Sequence, residues 1–469
     1  MKNHHKFLFI AIFRVINAVA GFAAVSLLGG ILSSSEIGQY HYILAYSAII
    51  STMILTPLGS YWEAKVIKPN EFFLYIVIQL FQALSFMIVL LLFVVFFSDG
   101  YKLLVIISFG VVTYSSSNII HQININLSQI LSSSLSVLLP VSNLFLIYLF
   151  HSYLNVEINA FYWLLFIMTS NIMVIIIGIF VVYKKSSALS IKKLKNEFID
   201  SFLDVFFRKR KFFISVFIIT SLVWGQQQSF KILVGKFASL EYLGILAYCF
   251  SISIAAYSAL DTIFNQVVLP KSLERIKGKV DNASKVNVWE NKYYLLQFKV
   301  GLIILSSVII SSKLMLSYIA DGKYQNYWLL VVIGAVIEFF KSNITAKYLI
   351  LRLINTPGKA IIPNLLLCLF LSTSTFLLKF YDDLYTYPII MIFSYIIVAM
   401  IFSMNIFTRR NYTSVLVTPL IKWVLVTIAF VSTSMYFQNE NNTLIFLLSM
   451  SALILFFLHF FIKEKDDYL

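Results

Sequence analysis

The chain reads as a series of long, continuously apolar runs separated by short polar segments. Fourteen runs reach the roughly 20 residues that a spanning helix needs. They cover 7–29, 41–60, 72–97, 103–123, 132–150, 161–183, 212–234, 242–268, 293–313, 325–350, 360–379, 387–407, 419–437 and 443–462. None alternates every second residue, which argues against a transmembrane barrel. The first run follows a basic start, MKNHHK, without a small-residue cleavage context. Thirteen more runs follow it, so it is read as an uncleaved first helix. The pattern predicts an all-α polytopic membrane protein with about fourteen transmembrane helices.

Composition agrees and narrows the classes. Apolar residues make up 60% of the 469 and charged residues 12%, against about 25% charged in a soluble domain. That excludes a soluble globular domain and a disordered chain. The two cysteines, Cys249 and Cys368, both fall inside apolar runs, so no disulfide framework is expected.

The net charge of +15 changes meaning once the charges are placed. With the N-terminus inside, 26 of the 36 Lys and Arg fall on cytoplasmic segments, four on outer loops and six inside spans; Lys379 and Lys422, at span ends, are counted with the loops they adjoin. This asymmetry is an orientation signal, not a nucleic-acid footprint. It puts both termini in the cytoplasm and leaves the outer loops short. Segment 184–211 is basic and carries Ile191, Leu194, Phe198, Phe202 and Val205 at helical spacing. It is read as an amphipathic helix on the membrane surface. The loop 270–292 is basic too. Both are topology anchors that touch anionic lipid; capture of a phosphate-bearing substrate is the sharper alternative.

A weak internal repeat sets the architecture. LLGGILSSSEIGQYHYILAYS (27–47) matches LVGKFASLEYLGILAYCFSIS (233–253). Gly30 pairs with Gly235, Ser34 with Ser239 and Glu36 with Glu241, and a one-residue insertion brings Gly38 onto Gly244. Each copy reads as a helix end, a Ser-capped turn and a restart, with the Glu favoured by the helix dipole. Six helices separate the copies, so the repeat is parallel about an axis normal to the membrane. The expected organisation is two six-helix lobes, 1–183 and 212–407, around a central cavity. Segment 184–211 links them, and 408–469 adds two helices and a tail. Two such lobes describe an alternating-access transporter better than a channel.

These residues carry a resemblance. The turn, Glu, Gly and aromatic of Ser34, Glu36, Gly38 and Tyr40, and KILVGKFASLEYLGILAY at 231–248, resemble the polysaccharide-transport branch of the MOP superfamily. The likeness is to the Wzx-type O-antigen flippases. It covers the whole chain in length and span count, and the two repeat segments residue by residue. It implies a flippase for an undecaprenyl-diphosphate-linked glycan in the bacterial inner membrane. It also implies an H⁺ or Na⁺ gradient as driving force, no cofactor, and a polysaccharide polymerase and chain-length regulator as partners. Where many relatives carry an acid before the Lys-Ile-Leu segment, this chain has Gln226, Gln227, Gln228, Ser229 and Phe230.

Charged groups deep in a membrane are costly and mark function. Arg14, Asp261, Glu338 and Lys341 lie well inside spans, whereas Lys231 lies nearer an end and can snorkel. Glu338 and Lys341 are spaced to neutralise each other on one helix face. The resemblance places Arg14 on the cavity wall, where its donor fork suits a diphosphate; pairing with another buried group, Asp261 included, is the alternative. The three glutamines either line a polar cavity or bond between helices. The candidate substrate-binding set is Arg14, Gln226, Gln227, Gln228, Lys231 and Lys341; the candidate ion-coupling residues are Asp261 and Glu338.

No phosphate loop, nucleophile elbow, HExxH or Cys/His cluster occurs in the sequence. A non-enzymatic secondary transporter is therefore expected. A cation-coupled MATE-like drug exporter is the alternative. An O-antigen polymerase fits less well, because it calls for a large outer loop.

Overall fold

The computed structural model describes residues 3–59, 72–94, 100–185, 210–263, 283–319, 322–353, 361–377 and 383–407. Every regular element among them is helical. The helices are α1 (Asn3–Ile31), α2 (Ser34–Ala48), α3 (Phe72–Val94), α4 (Gly100–Asn126), α5 (Gln129–Ile147), α6 (Ala160–Lys185) and α7 (Arg210–Gln227). Then follow α8 (Ser229–Phe237), α9 (Leu240–Ile263), α10 (Ala283–Tyr318), α11 (Trp328–Leu353), α12 (Ile361–Leu377) and α13 (Thr386–Phe407). Each of the first twelve apolar runs thus has a helix at its place. The runs 419–437 and 443–462, nearly all of the basic linker and most of the 270–292 loop lie outside the described residues.

Among the described residues, seven helical stretches are long and apolar enough to cross a membrane, and five further apolar stretches are 10–17 residues long. The chain is a multi-pass membrane protein. Its surface reflects lipid as solvent: α1 exposes Phe9, Ile12, Val15, Ile16 and Val19 along one stripe. The interior takes the polar groups, because an unpaired one in lipid has no water to bond. Ser116 on α4 bonds Asn171 on α6, and Asn118 on α4 donates to Gln79 on α3. Ser116 and Asn118 are therefore paired between helices.

The chain divides into two compact units, Met1–Gly244 and Ile245–Leu469. In the first, α1 packs on α5, α4 lies against α3, α5 and α6, and α7 and α8 pack on the second span. In the second, α10 packs on α11, and α13 on α11 and α12. There α9 is tied in by side-chain bonds to backbone carbonyls. Ser253 Oγ donates to the Val331 carbonyl at 2.7 Å and Tyr257 Oη to that of Gly301 at 3.0 Å.

Three spans of the first unit depart from α geometry: the second, the seventh, and the fifth, which ends in a π-helix over Tyr148–Tyr153. The second continues from α2 as a π-helix over Ile49–Leu55, and the Thr56 amide bonds back to the Ser51 carbonyl. Thr56 Oγ1 donates to the same carbonyl at 2.8 Å. Pro57 follows at once and has no amide to continue an α ladder. The seventh span breaks at Gln228, whose φ of −125° ends α7 and starts α8. Gln226 and Gln227 thus end one helix, and Gln228 stands at the N-cap position of the next without a side-chain capping bond.

Candidate functional site

The irregular second and seventh spans pack on each other. α8 lies on α2, and α7 on the π segment. They run antiparallel, which successive contacts trace. A β-carbon on Gly235 would sit 2.8 Å from the Tyr42 ring, and Trp224 Nε1 donates to the Ala45 carbonyl at 3.1 Å. Gln228 and Lys231 come between those two levels, so both sit opposite the middle of α2. Irregular backbone inside a membrane is tolerated where protein or a cavity surrounds it, and it concentrates at binding sites.

The turns that start α2 and α9 set the frame. Ser33 caps α2: its Oγ accepts from the Glu36 amide at 3.2 Å, and Glu36 Oε2 accepts from the Ser33 amide at 3.0 Å. This reciprocal box is what Ser-x-x-Glu sequences build. In the second copy Ser239 Oγ accepts from the Tyr242 amide at 3.0 Å. The structural equivalent of Ser239 is therefore Ser33 rather than Ser34, and Glu36 falls on Tyr242 rather than Glu241. The sequence pairing was one residue out, because the run of three serines offers three possible caps and only geometry selects one.

With that register the two copies meet as equivalents. A β-carbon at Gly38 would overlap the Leu240 carbonyl, and one at Gly244 would overlap the Ser34 carbonyl. The contacts are reciprocal: each glycine faces the residue four places before the other. That is the mark of a two-fold relation. Only glycine permits so close a backbone approach.

The candidate residues fall into two groups. Gln226 is 6% exposed and Gln227 half-buried. The side-chain oxygen of Gln228 is buried without a hydrogen-bond partner among the described residues. Lys231 lies in the first turn of α8, and its charge bears on His41 of α2. His41 was not singled out from sequence. It is 7% exposed, and neither ring nitrogen has a hydrogen-bond partner among the described residues. The signal was a lone histidine within an apolar run, which sequence alone does not separate from a bonded core residue.

In the second unit Lys341 Nζ and Glu338 Oε1 form the ion pair that their spacing predicted, at 2.8 Å. Either group must release the other before it can take a substrate or an ion. Glu338→Gln leaves a lysine 24% exposed without its anion. The expected loss is about 2 kcal/mol, below the roughly 3–5 of a fully buried pair. Adding Lys341→Met should recover most of it; thermal unfolding in detergent checks both. Arg14 lies on α1 and Asp261 on α9, and both side chains are outside the described residues.

No family model matches the chain, and no curated protein does. Solved structures do. The lipid II flippase MurJ, in an inward closed conformation, superposes with a TM-score of 0.66 at 13% identity, covering 98% of this chain and 99% of its own. The chain shares its fold with solved transporters of the MOP superfamily. An inward-facing multidrug resistance MATE transporter of that superfamily gives 0.51 at 10% identity, over 84% of this chain and 96% of its own. The Vibrio cholerae MATE transporter VcmN gives 0.51 at 13%, over 87% and 97%. The MOP fold is the level at which these neighbours agree.

Proposed function

We propose that the chain is a flippase that moves an undecaprenyl-diphosphate-linked oligosaccharide, an O-antigen or similar repeat unit, to the outer leaflet of the bacterial inner membrane. The observation that carries this reading is the likeness to a lipid flippase over 98% of the chain. The two MATE transporters that superpose at 0.51 cover 84% and 87%. The basic asymmetry of the loops supports cytoplasmic termini, on the side where such a substrate is made. Arg14, the three glutamines, Lys231 and Lys341 offer donors to a diphosphate and to sugar hydroxyls. Asp261 and Glu338 are the acids to which an H⁺ or Na⁺ gradient would couple. Lobes 1–183 and 212–407 would rock about the linker to alternate access. The reciprocal glycine crossing supports this, since it joins equivalent points of the two copies. A polymerase and a chain-length regulator would take the product onward.

The MATE fold likeness supports a second reading, a cation-coupled multidrug exporter. Reconstitution separates the two. Vesicles containing the protein and a fluorescent polyprenyl-diphosphate glycan should move the label to the opposite leaflet. A pH or Na⁺ gradient should accelerate this, and Asp261→Asn should weaken the acceleration. Export of cationic dyes with no movement of the glycan would replace the flippase with the exporter.

A further inference from the structure

We propose that the wide turn of the second span is a two-register switch, and that Trp224 of the seventh span is the positioning residue that holds it open. The argument begins with backbone carbonyls. In an α-helix each amide bonds the carbonyl four residues back. The Ile49 amide bonds those of Tyr46 and Ser47 instead. The carbonyl of Ala45, its α partner, accepts from Trp224 Nε1 at 3.1 Å. A side chain of α7 thus stands where the second span's own amide would stand. At the far end of the turn the Thr56 amide and hydroxyl both donate to the Ser51 carbonyl, the hydroxyl at 2.8 Å. Gly110 on α4 makes room at the junction: a β-carbon there would sit 2.6 Å from the Ser47 carbonyl oxygen.

Two features let this turn change register. Ser51 Oγ stands 3.5 Å from the carbonyls of both Ser47 and Ala48, well beyond the roughly 2.7–2.8 Å of a settled O–H···O bond. It leans on two acceptors and is committed to neither. The second feature is the apolar pattern. An i→i+5 turn holds one residue more than an α turn. Closing it would rotate the segment beyond it by about 100°, one residue's share of a 3.6-residue turn. Leu55 and Leu58 now pack in one cluster with Leu74 of α3 and Val111 of α4. After closing, Ile54 and Pro57 would take their places, and both are apolar. Core packing therefore admits either register. Pro57 weights the choice toward the wide turn, having no amide for an α ladder, and Trp224 adds its bond.

Trp224 ties the register to the seventh span. Its own carbonyl accepts from the amide of Gln228 at 2.8 Å, the residue at which that span breaks. Trp224 therefore lies one turn before the break and moves with α7. When α7 shifts, the Ala45 carbonyl loses its donor and the Ile49 amide can return to it, which closes the wide turn. A movement of one span becomes a rotation of another. Such two-state elements turn small shifts into large ones, and π turns inside α-helices collect at functional sites. The switch goes beyond the flippase reading, because it serves a transporter of either substrate.

Thiol labelling of the full-length protein in detergent tests it, in a background carrying Cys249→Ala and Cys368→Ala. The probe is N-ethylmaleimide and the reporter Leu58→Cys, at a position 6% exposed in the wide register. Trp224→Phe keeps an aromatic ring and removes the donor. It should speed labelling at 58 about fivefold, the effect of one net hydrogen bond. Ile123→Cys reports from a separate buried cluster, and its rate should not respond to Trp224→Phe. Deleting Met53 removes the surplus residue. Labelling at 58 should then be slow and indifferent to Trp224→Phe. Transport of polyprenyl-diphosphate glycan or cationic dye, whichever wild type moves, should fall at least tenfold in a protein that still folds. Equal rates at 58 with and without Trp224→Phe overturn the switch. So does equal acceleration at 58 and 123, which is general loosening. If Trp224→Phe does not fold, the deletion decides: transport at the wild-type rate without Met53 overturns the switch, and lost transport with the fold intact supports it. The labelling needs no substrate, so a wild type that moves no glycan sinks the flippase and leaves the switch to its own test.

Discussion

Gly38→Ala and Gly244→Ala are each expected to destabilise the protein by about 3 kcal/mol, the upper end of overpacking costs. One added carbon is enough, because it lands on a backbone carbonyl in each case, that of Leu240 or of Ser34. A flexible side chain could swing aside; a carbonyl within a helix moves only if the helix moves. So α2 and α9 must separate at their starts. That separation relieves both collisions at once, since they lie on either side of one crossing. The double variant should therefore cost little more than either single one, well short of their sum. Such coupling is what contacting sites show and distant sites do not. Thermal unfolding of the three variants in detergent measures it. Additive losses, or glycine replacements without effect, would dissolve the crossing. Gly21 and Gly30 are the controls: a β-carbon at either meets nothing within 4 Å, and alanine there should be neutral or slightly stabilising, since it is the better helix former.

That crossing shows which parts of the fold the sequence carries and which it does not. Helix positions were legible because lipid demands about 20 apolar residues per span, and the first twelve runs each met a helix. The ion pair of Glu338 with Lys341 was legible because a three-residue spacing fixes the face. The cap register was not: Ser33, Ser34 and Ser35 are chemically alike, and the choice depends on where α1 ends. The break at Gln228 and the π segment at Ile49–Leu55 were not legible either. Gln, Ser and Phe all sit acceptably in a helix, so nothing local forces the break. Pro57 hinted at an irregular second span but did not specify a π turn. The two departures lie on spans that pack together, so each has neighbours about 180 residues away in sequence, as the Trp224 bond to Ala45 illustrates. His41 became a candidate only once both its buried ring nitrogens were found without a hydrogen-bond partner among the described residues.

Arg14→Ala is expected to abolish transport while the protein still reaches the membrane. Arginine stays charged at any depth, so α1 bears a cost of about 2.5–3.5 kcal/mol for carrying it on insertion scales. Two roles would justify that cost, and they predict different things. If Arg14 is held by a buried carboxylate, Asp261 included, its removal leaves an uncompensated acid. Protein yield should then fall, and Asp261→Asn should restore it. If Arg14 receives a diphosphate, yield is unchanged and transport alone is lost. Each charge-assisted bond contributes about 1.5–3 kcal/mol, so losing a bidentate pair should slow glycan movement at least about a hundredfold. Arg14→Lys keeps the charge but not the planar fork, and should fall between wild type and Arg14→Ala. Arg14→Glu repels the diphosphate and should leave no activity. Membrane abundance and glycan movement, measured on the same preparations, distinguish the roles. Normal movement by Arg14→Ala at normal abundance would remove Arg14 from the path. In that case the cationic chemistry of the carrier would have to come from Lys231 and Lys341. Lys341 is already engaged by Glu338 at 2.8 Å, so it would have to leave that pair before it met the anion.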